Sequence, residues 1–176
     1  MIRRMNWGCG QKTIDGWINS DIVEGDGVDI CCDILRGFPL EDNHLDYISS
    51  QHALQDLRIG DQIPAMKELR RVLKPRGVLR LSLPDLDRAL DSYQSGQQDH
   101  LTVDDWDTLS GNFITQVLWY SYTRTLFTYE FAEELLKKAD FGVVRPVRFR
   151  HTLSHYTEIV ELDEREHESF FVEAVK

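Results

Sequence analysis

Asn6-Trp7-Gly8-Cys9-Gly10 sets a glycine turn behind a short strand-like segment, and Gly16-Trp17-Ile18-Asn19-Ser20-Asp21 ends a second such segment on a carboxylate. Glycine tolerates positive φ and carries no side chain, so Gly8 and Gly10 allow a tight turn and let a ligand come close to the backbone. A glycine turn facing a carboxylate outlines a nucleoside-cofactor site. Asp21 follows Gly10 too soon for the crossover helix of a dinucleotide fold, and the third glycine of G-x-G-x-x-G is missing, which disfavours NAD. No G-x-x-x-x-G-K-[ST] phosphate loop occurs in the chain.

Strands and helices must carry these residues. Arg3 to Trp7, Trp17 to Asp21, Val28 to Cys32 (ending at Asp33) and Leu45 to Ser50 are the first four strands expected from their apolar and β-branched content. Asp61 is a candidate cap for a helix whose apolar residues Ile63, Met66, Leu69, Val72 and Leu73 recur every three or four positions and would cover the sheet. Lys74-Pro75-Arg76-Gly77 has the composition of a turn, and Val78 to Leu83 is a fifth strand stopped by Pro84. A strand, helix, turn and strand in that order imply a parallel crossover. Residues 85–128 loosen into short helices and loops rich in aromatics, an insert within one expected domain spanning 1–176. Thr128 should cap a helix from Tyr129 to Ala139, and Val143 to Phe149 and Ser169 to Val175 complete seven strands. The acidic run of Glu161, Asp163, Glu164 and Glu166 between them is expected on the solvated surface.

The chain has 176 residues, and its 30 acidic against 20 basic side chains give a net charge of −10. That excess opposes a polyanion, so nucleic acid is not an expected partner. No apolar run approaches the ~20 residues needed to span a bilayer, and Met1-Ile2-Arg3-Arg4-Met5 lacks the apolar stretch of a secretory signal, so a cytoplasmic location is expected and a membrane is not. Cys9, Cys31 and Cys32 have neither C-x-x-C nor metal-ligand spacing, so no metal is expected and the thiols should be reduced. Neighbouring Cys31 and Cys32 should point to opposite faces as small apolar residues.

In their order, these elements and motifs resemble the class I S-adenosylmethionine-dependent methyltransferases, most closely a small subgroup whose first strand reads Leu-Asn-Leu-Gly-Cys/Ser-Gly. The anchors are Asn6 to Gly10, Gly16 to Asp21, Asp33, Leu69-Arg70-Arg71-Val72-Leu73-Lys74-Pro75-Arg76-Gly77 and Glu134-Leu135-Leu136-Lys137-Lys138-Ala139-Asp140-Phe141, so the resemblance covers nearly the whole chain. It implies a Rossmann-like α/β fold with a seven-stranded, mostly parallel sheet and an antiparallel last strand. Here the first crossover helix would be reduced and the usual N-terminal helix missing.

The resemblance also implies S-adenosyl-L-methionine as cofactor and S-adenosyl-L-homocysteine as product. Gly8, Cys9 and Gly10 would lie against its methionine part. Asp21 would accept from the ribose hydroxyls, its two oxygens suiting a vicinal diol. Asp33 would meet the adenine amino group, with Ile34 packed on the ring. Asn6, where many relatives have an acid, and Ser50 and Gln51 at the end of strand four would complete the cofactor site. Relatives often continue Glu-His-Val-Leu-Glu-His, whereas this chain has Gln51-His52-Ala53-Leu54-Gln55-Asp56, keeping the first histidine and replacing the second. His52 is the candidate general base for a hydroxyl acceptor, with capping or packing as its alternative role. Trp119, Tyr120 and Tyr122 would line the acceptor pocket, or pack the core. The expected function is methyl transfer to a small-molecule or saccharide acceptor. The alternative is a cofactor-binding module without turnover, whose role is regulatory or interactive.

Overall fold

The computed structural model describes residues 2–176. Seven strands form one sheet in the order β3-β2-β1-β4-β5-β7-β6. They are β1 (Arg4–Trp7), β2 (Ile18–Asp21), β3 (Ile30–Cys31), β4 (Leu45–Gln51), β5 (Leu73–Pro84), β6 (Val143–Val147) and β7 (Ser169–Val175). Every neighbouring pair among β1 to β5 is parallel, while β7 runs antiparallel to both β5 and β6. The order reverses between β1 and β4, where Asn6 stands opposite Ser49, and ligands of open α/β sheets bind at the carboxyl end of such a switch.

Helix α1 (Gln62–Val72) buries Ala65, Met66, Leu69 and Val72 on one sheet face, and α4 (Tyr129–Lys138) buries Ala132, Leu135 and Leu136 in the same core. Thr128 caps α4 as expected, its hydroxyl accepting from the Phe131 N–H at 3.3 Å. Asp61 stands at the start of α1 but makes no side-chain cap, because its own backbone is already helical. Leu45 pairs with Leu73 and Tyr47 with Val78, so the expected turn at Lys74–Gly77 bulges out of a continuous β5. A Cβ on Gly77 would lie 2.8 Å from the Lys74 carbonyl oxygen, so this close approach requires glycine.

Between β1 and β2 there are turns and no helix. Two asparagines hold that loop: Asn6 Nδ2 donates to the Lys12 carbonyl at 2.8 Å and to Asn19 Oδ1 at 3.2 Å, and Asn19 in turn brackets the backbone of Ile14. The opposite sheet face is covered by the segment 148–168, which inserts Ile159 and Leu162 against Trp17, Tyr47 and Val78. The expectation of a solvated acidic run holds at three of its four residues and is corrected at Asp163. Asp163 is buried against Arg80, although Glu161, Glu164 and Glu166 are exposed. Of the two adjacent cysteines, Cys31 is exposed and Cys32 packs at the edge of the core. In the insert, α2 (Leu86–Ser95) is capped by Asp85 and α3 (Leu109–Leu118) by Thr108.

Candidate cofactor and acceptor site

The turn after β1 and the end of β2 are one hydrogen-bonded unit. Gly8 N and Cys9 N both donate to the Ser20 carbonyl, and Gly10 N donates to Asp21 Oδ2 at 2.8 Å. Asp21 Oδ1 accepts from Val23 N at 3.0 Å, so each carboxylate oxygen is oriented and retains a free lone pair. Gly8 sits at φ +70, and a Cβ there would lie 2.2 Å from Ala53 Cβ, so the loops after β1 and β4 touch across the switch point only because residue 8 is glycine.

Two cavities open at this edge. The smaller, about 440 Å³, is lined by Gly8, Gly10, Asp21, Asp33 and Ile34 together with Leu57 and Arg124. Asp33 Oδ1 accepts from Leu35 N at 3.0 Å and caps the short turn after β3, which leaves Oδ2 for another donor. Ile34 is core and presents an apolar edge there. The larger, about 690 Å³, is lined by Asn6, Gly8, Cys9 and Gln51, by Trp119 and Tyr122, and by Glu161, Glu164, Arg165 and Glu168. Gly8, His52 and Asp56 border both.

Ser50, expected at the cofactor site, is fully buried beneath Gly8 and lines neither cavity. Tyr120 also faces away: it is exposed and hydrogen-bonded to Asp105, because Trp119, Tyr120 and Ser121 take three successive left-handed backbone angles that turn neighbouring side chains apart. The Cys9 thiol is pushed up by burial and by Asp21, consistent with a backbone role.

His52 takes a left-handed φ of +49, and its Nε2 lies 2.7 Å from Ser169 Oγ at the start of β7. Burial, with Arg165 adding to it and Glu168 opposing, pushes its pKa down to about 4, so the ring is neutral at pH 7. Asp56 behaves oppositely. It keeps an exposed edge, but the enclosure of its carboxyl between the cavities, with Asp21 adding, raises it to about 6 against the pull of Arg124. Two buried amide atoms of residues lining the larger cavity, Gln51 Nε2 and Gln55 Oε1, have no partner among the described residues. Buried polar atoms are seldom left unpaired, so each of these calls for a water or a ligand atom.

Asp56, Gln55, Arg124 and the Arg165–Glu168 pair were not anticipated as site residues. The only signal for Asp56 was that it replaces the second histidine of the motif after β4. Among the described residues no cluster of His, Cys, Asp or Glu could hold a metal, and no helix is long and apolar enough to cross a membrane.

A methyltransferase-domain family model matches residues 17–81. The demethylmenaquinone methyltransferase of Staphylococcus carnosus is 32% identical over 88 residues, covering 48% of this chain and 32% of that protein; the chain thus spans about a third of this curated relative's length. Among solved structures, a methyltransferase of Thermotoga maritima described as a possible histamine N-methyltransferase superposes with a TM-score of 0.61 at 19% identity, over 99% of this chain and 82% of that one. Phosphoethanolamine N-methyltransferase 2 of Haemonchus contortus, solved with S-adenosyl-L-methionine, gives 0.58 at 15% identity over 99% and 48%. At such identities these two likenesses establish the fold. The chain thus shares its fold along its whole length with S-adenosylmethionine-dependent methyltransferases, and the segment from just before β2 into β5 matches a methyltransferase domain.

Proposed function

We propose that the protein transfers a methyl group from S-adenosyl-L-methionine to a small-molecule acceptor. The observation that carries this is the meeting of two cavities at Gly8, His52 and Asp56, on the switch point of the sheet: one has nucleoside-binding chemistry and the other is large enough for the rest of the cofactor and an acceptor.

The residues present fit the cofactor. Asp21 would hold the ribose diol, Asp33 the adenine amino group and Ile34 the ring, while Gly8, Cys9, Gly10, Asn6 and Gln51 would line the methionine part. When bound, the cofactor supplies a sulfonium-activated methyl group, so the protein's main contribution is positioning. Trp119 and Tyr122 offer the acceptor an aromatic face. His52, neutral and hydrogen-bonded to Ser169, stands beside both ligands. With a pKa of about 4 it would hold a proton at pH 7 roughly one time in a thousand, a weak base for a hydroxyl. Its best-supported role is to touch and orient the reacting groups.

Calorimetric titration with S-adenosyl-L-methionine, S-adenosyl-L-homocysteine, NAD and ATP tests the cofactor. Micromolar binding of the first two alone, ~−8 kcal/mol, is expected. Binding of NAD or ATP instead, or of none, would refute the proposal. Methyl transfer to an acceptor then separates an enzyme from a binding module.

A further inference from the structure

The chemistry of the larger cavity narrows the acceptor. Four carboxylates line it, those of Asp56, Glu161, Glu164 and Glu168, against two cations, Lys12 and Arg165. Lys12 pairs with Glu164, and Arg165 pairs with Glu168 at 3.1 Å, so the two cations are engaged. Asp56 and Glu161 form no ion pair among the described residues. Gln55 supplies an independent observation. Its side chain is only 5% exposed, its Nε2 donates to the His52 carbonyl, and its Oε1 is buried without a partner. That atom is an acceptor, so its missing partner is a donor. Trp119 and Tyr122 add aromatic faces, and the Arg165 guanidinium already lies 5.1 Å from the Trp119 ring, showing that this ring takes a cation. The excess of carboxylates, the unpaired Gln55 acceptor and the aromatic rings together suit a cationic nitrogen at the Asp56 end, with the unpaired donor Gln51 Nε2 left for the cofactor's methionine part.

We propose, resting on the methyltransferase function above, that the acceptor is an amine, bound as its ammonium by Asp56 at the junction of the two cavities and by the Gln55 carbonyl. On transfer the nitrogen gives one proton to the Asp56 carboxylate. Its freed lone pair forms the N–C bond while the C–S bond of the sulfonium donor breaks towards sulfur. The products are a methylated ammonium, a neutral thioether and protonated Asp56, which returns its proton to solvent through its exposed edge. A carboxyl group held up to about 6 is charged at pH 7 and retakes a proton more readily than an ordinary aspartate.

The test uses the full chain saturated with S-adenosyl-L-homocysteine. It is titrated at fixed ionic strength with matched probes: benzylamine against benzyl alcohol and benzoate, and hexylamine against hexanol and hexanoate. The amine of each set should bind at least tenfold more tightly than its partners. Asp56→Asn, a nearly isosteric change, should abolish that preference in protein kept saturated with S-adenosyl-L-homocysteine, whose own affinity for the variant is measured first so that saturation is assured. Glu161→Gln, at an exposed position, should reduce the preference without abolishing it. Equal or tighter binding of the alcohols or acids, or an amine preference that survives Asp56→Asn, would overturn the proposal and leave the methyltransferase function intact. Failure of S-adenosyl-L-homocysteine itself to bind would remove the cofactor function and this inference with it.

Discussion

Arg80 on β5 and Asp163 in the segment before β7 meet through two hydrogen bonds, Nε to Oδ1 at 2.7 Å and Nη2 to Oδ2 at 2.5 Å, and neither side chain reaches solvent. The remaining guanidinium donors go to Glu173 Oε1 at 2.8 Å and to the carbonyls of His151 and Arg148, so all five are used. This network fastens segment 148–168 to a sheet face, and the same segment then delivers Glu161, Glu164 and Arg165 to the larger cavity. The cavity wall is thus built on a buried charge cluster.

Removing the cation from this cluster leaves two buried carboxylates without compensation. Arg80→Met should lower unfolding stability by about 3–5 kcal/mol, read from urea denaturation. Arg80→Lys should fall between the two, because an ammonium has three donors where five are needed. A loss below about 1 kcal/mol for Arg80→Met would show that the network is not under load.

At Gly8 both the positive φ and the 2.2 Å approach of Ala53 oppose a side chain. Gly8→Ala should weaken S-adenosyl-L-methionine binding at least tenfold by forcing the loops after β1 and β4 apart. Adding Ala53→Gly relieves the clash but not the backbone strain, so recovery should be partial. Full-affinity binding by Gly8→Ala, measured by calorimetry, would contradict the switch-point site.

Asp21 should contribute through charge as well as geometry. Asp21→Asn keeps an oxygen for a neighbouring N–H but loses one acceptor and the charge, and a hydrogen bond to a charged group is worth about 1.5–3 kcal/mol. Cofactor affinity should therefore fall by roughly 10- to 150-fold on the same basis, and the unfolding midpoint should fall with it, because one of the acceptors that hold Gly10 N and Val23 N is lost. An affinity within twofold of the parent would exclude Asp21 as the ribose acceptor.

His52 links stability to pH. Its folded pKa of about 4 lies below its ordinary 6.5, so between those values the unfolded chain binds more protons. The neutral burial of His52 is therefore stabilising above pH 6.5 and is lost as pH falls towards 4, by up to about 3 kcal/mol. His52→Asn, whose side chain tolerates the left-handed backbone, should flatten that limb of the stability curve. An imidazole resonance titrating near 6.5 in the folded protein would contradict this environment.

The sheet was legible because its strands are apolar runs broken by glycine, proline and acidic residues, and because Asp21 and the glycine turn sit at strand ends where backbone geometry joins them. The burial of Asp163 was not. Its neighbours Glu161 and Glu164 are exposed, and nothing in a run of acids marks which member will meet an arginine more than eighty residues away. Ser50 and Tyr120 line neither cavity for local reasons: Ser50 is packed beneath Gly8, and the left-handed backbone at Trp119–Ser121 turns Tyr120 outwards. Asp56 needed the fold, since only packing brings it between two cavities.

Trp119 separates the two binding events. It lines the larger cavity and is absent from the smaller one, while Arg165 lies 5.1 Å from its ring. Trp119→Ala removes the aromatic wall, an interaction worth about 0.5–1.5 kcal/mol beyond simple burial, so the acceptor KM should rise by roughly 2- to 12-fold. S-adenosyl-L-homocysteine affinity should stay within about twofold, because Asp21, Asp33 and Ile34 are untouched. Measuring both on one preparation decides the division of labour: a parallel loss of cofactor affinity would mean that the wall supports the nucleoside site as well, and the acceptor would have to be placed elsewhere.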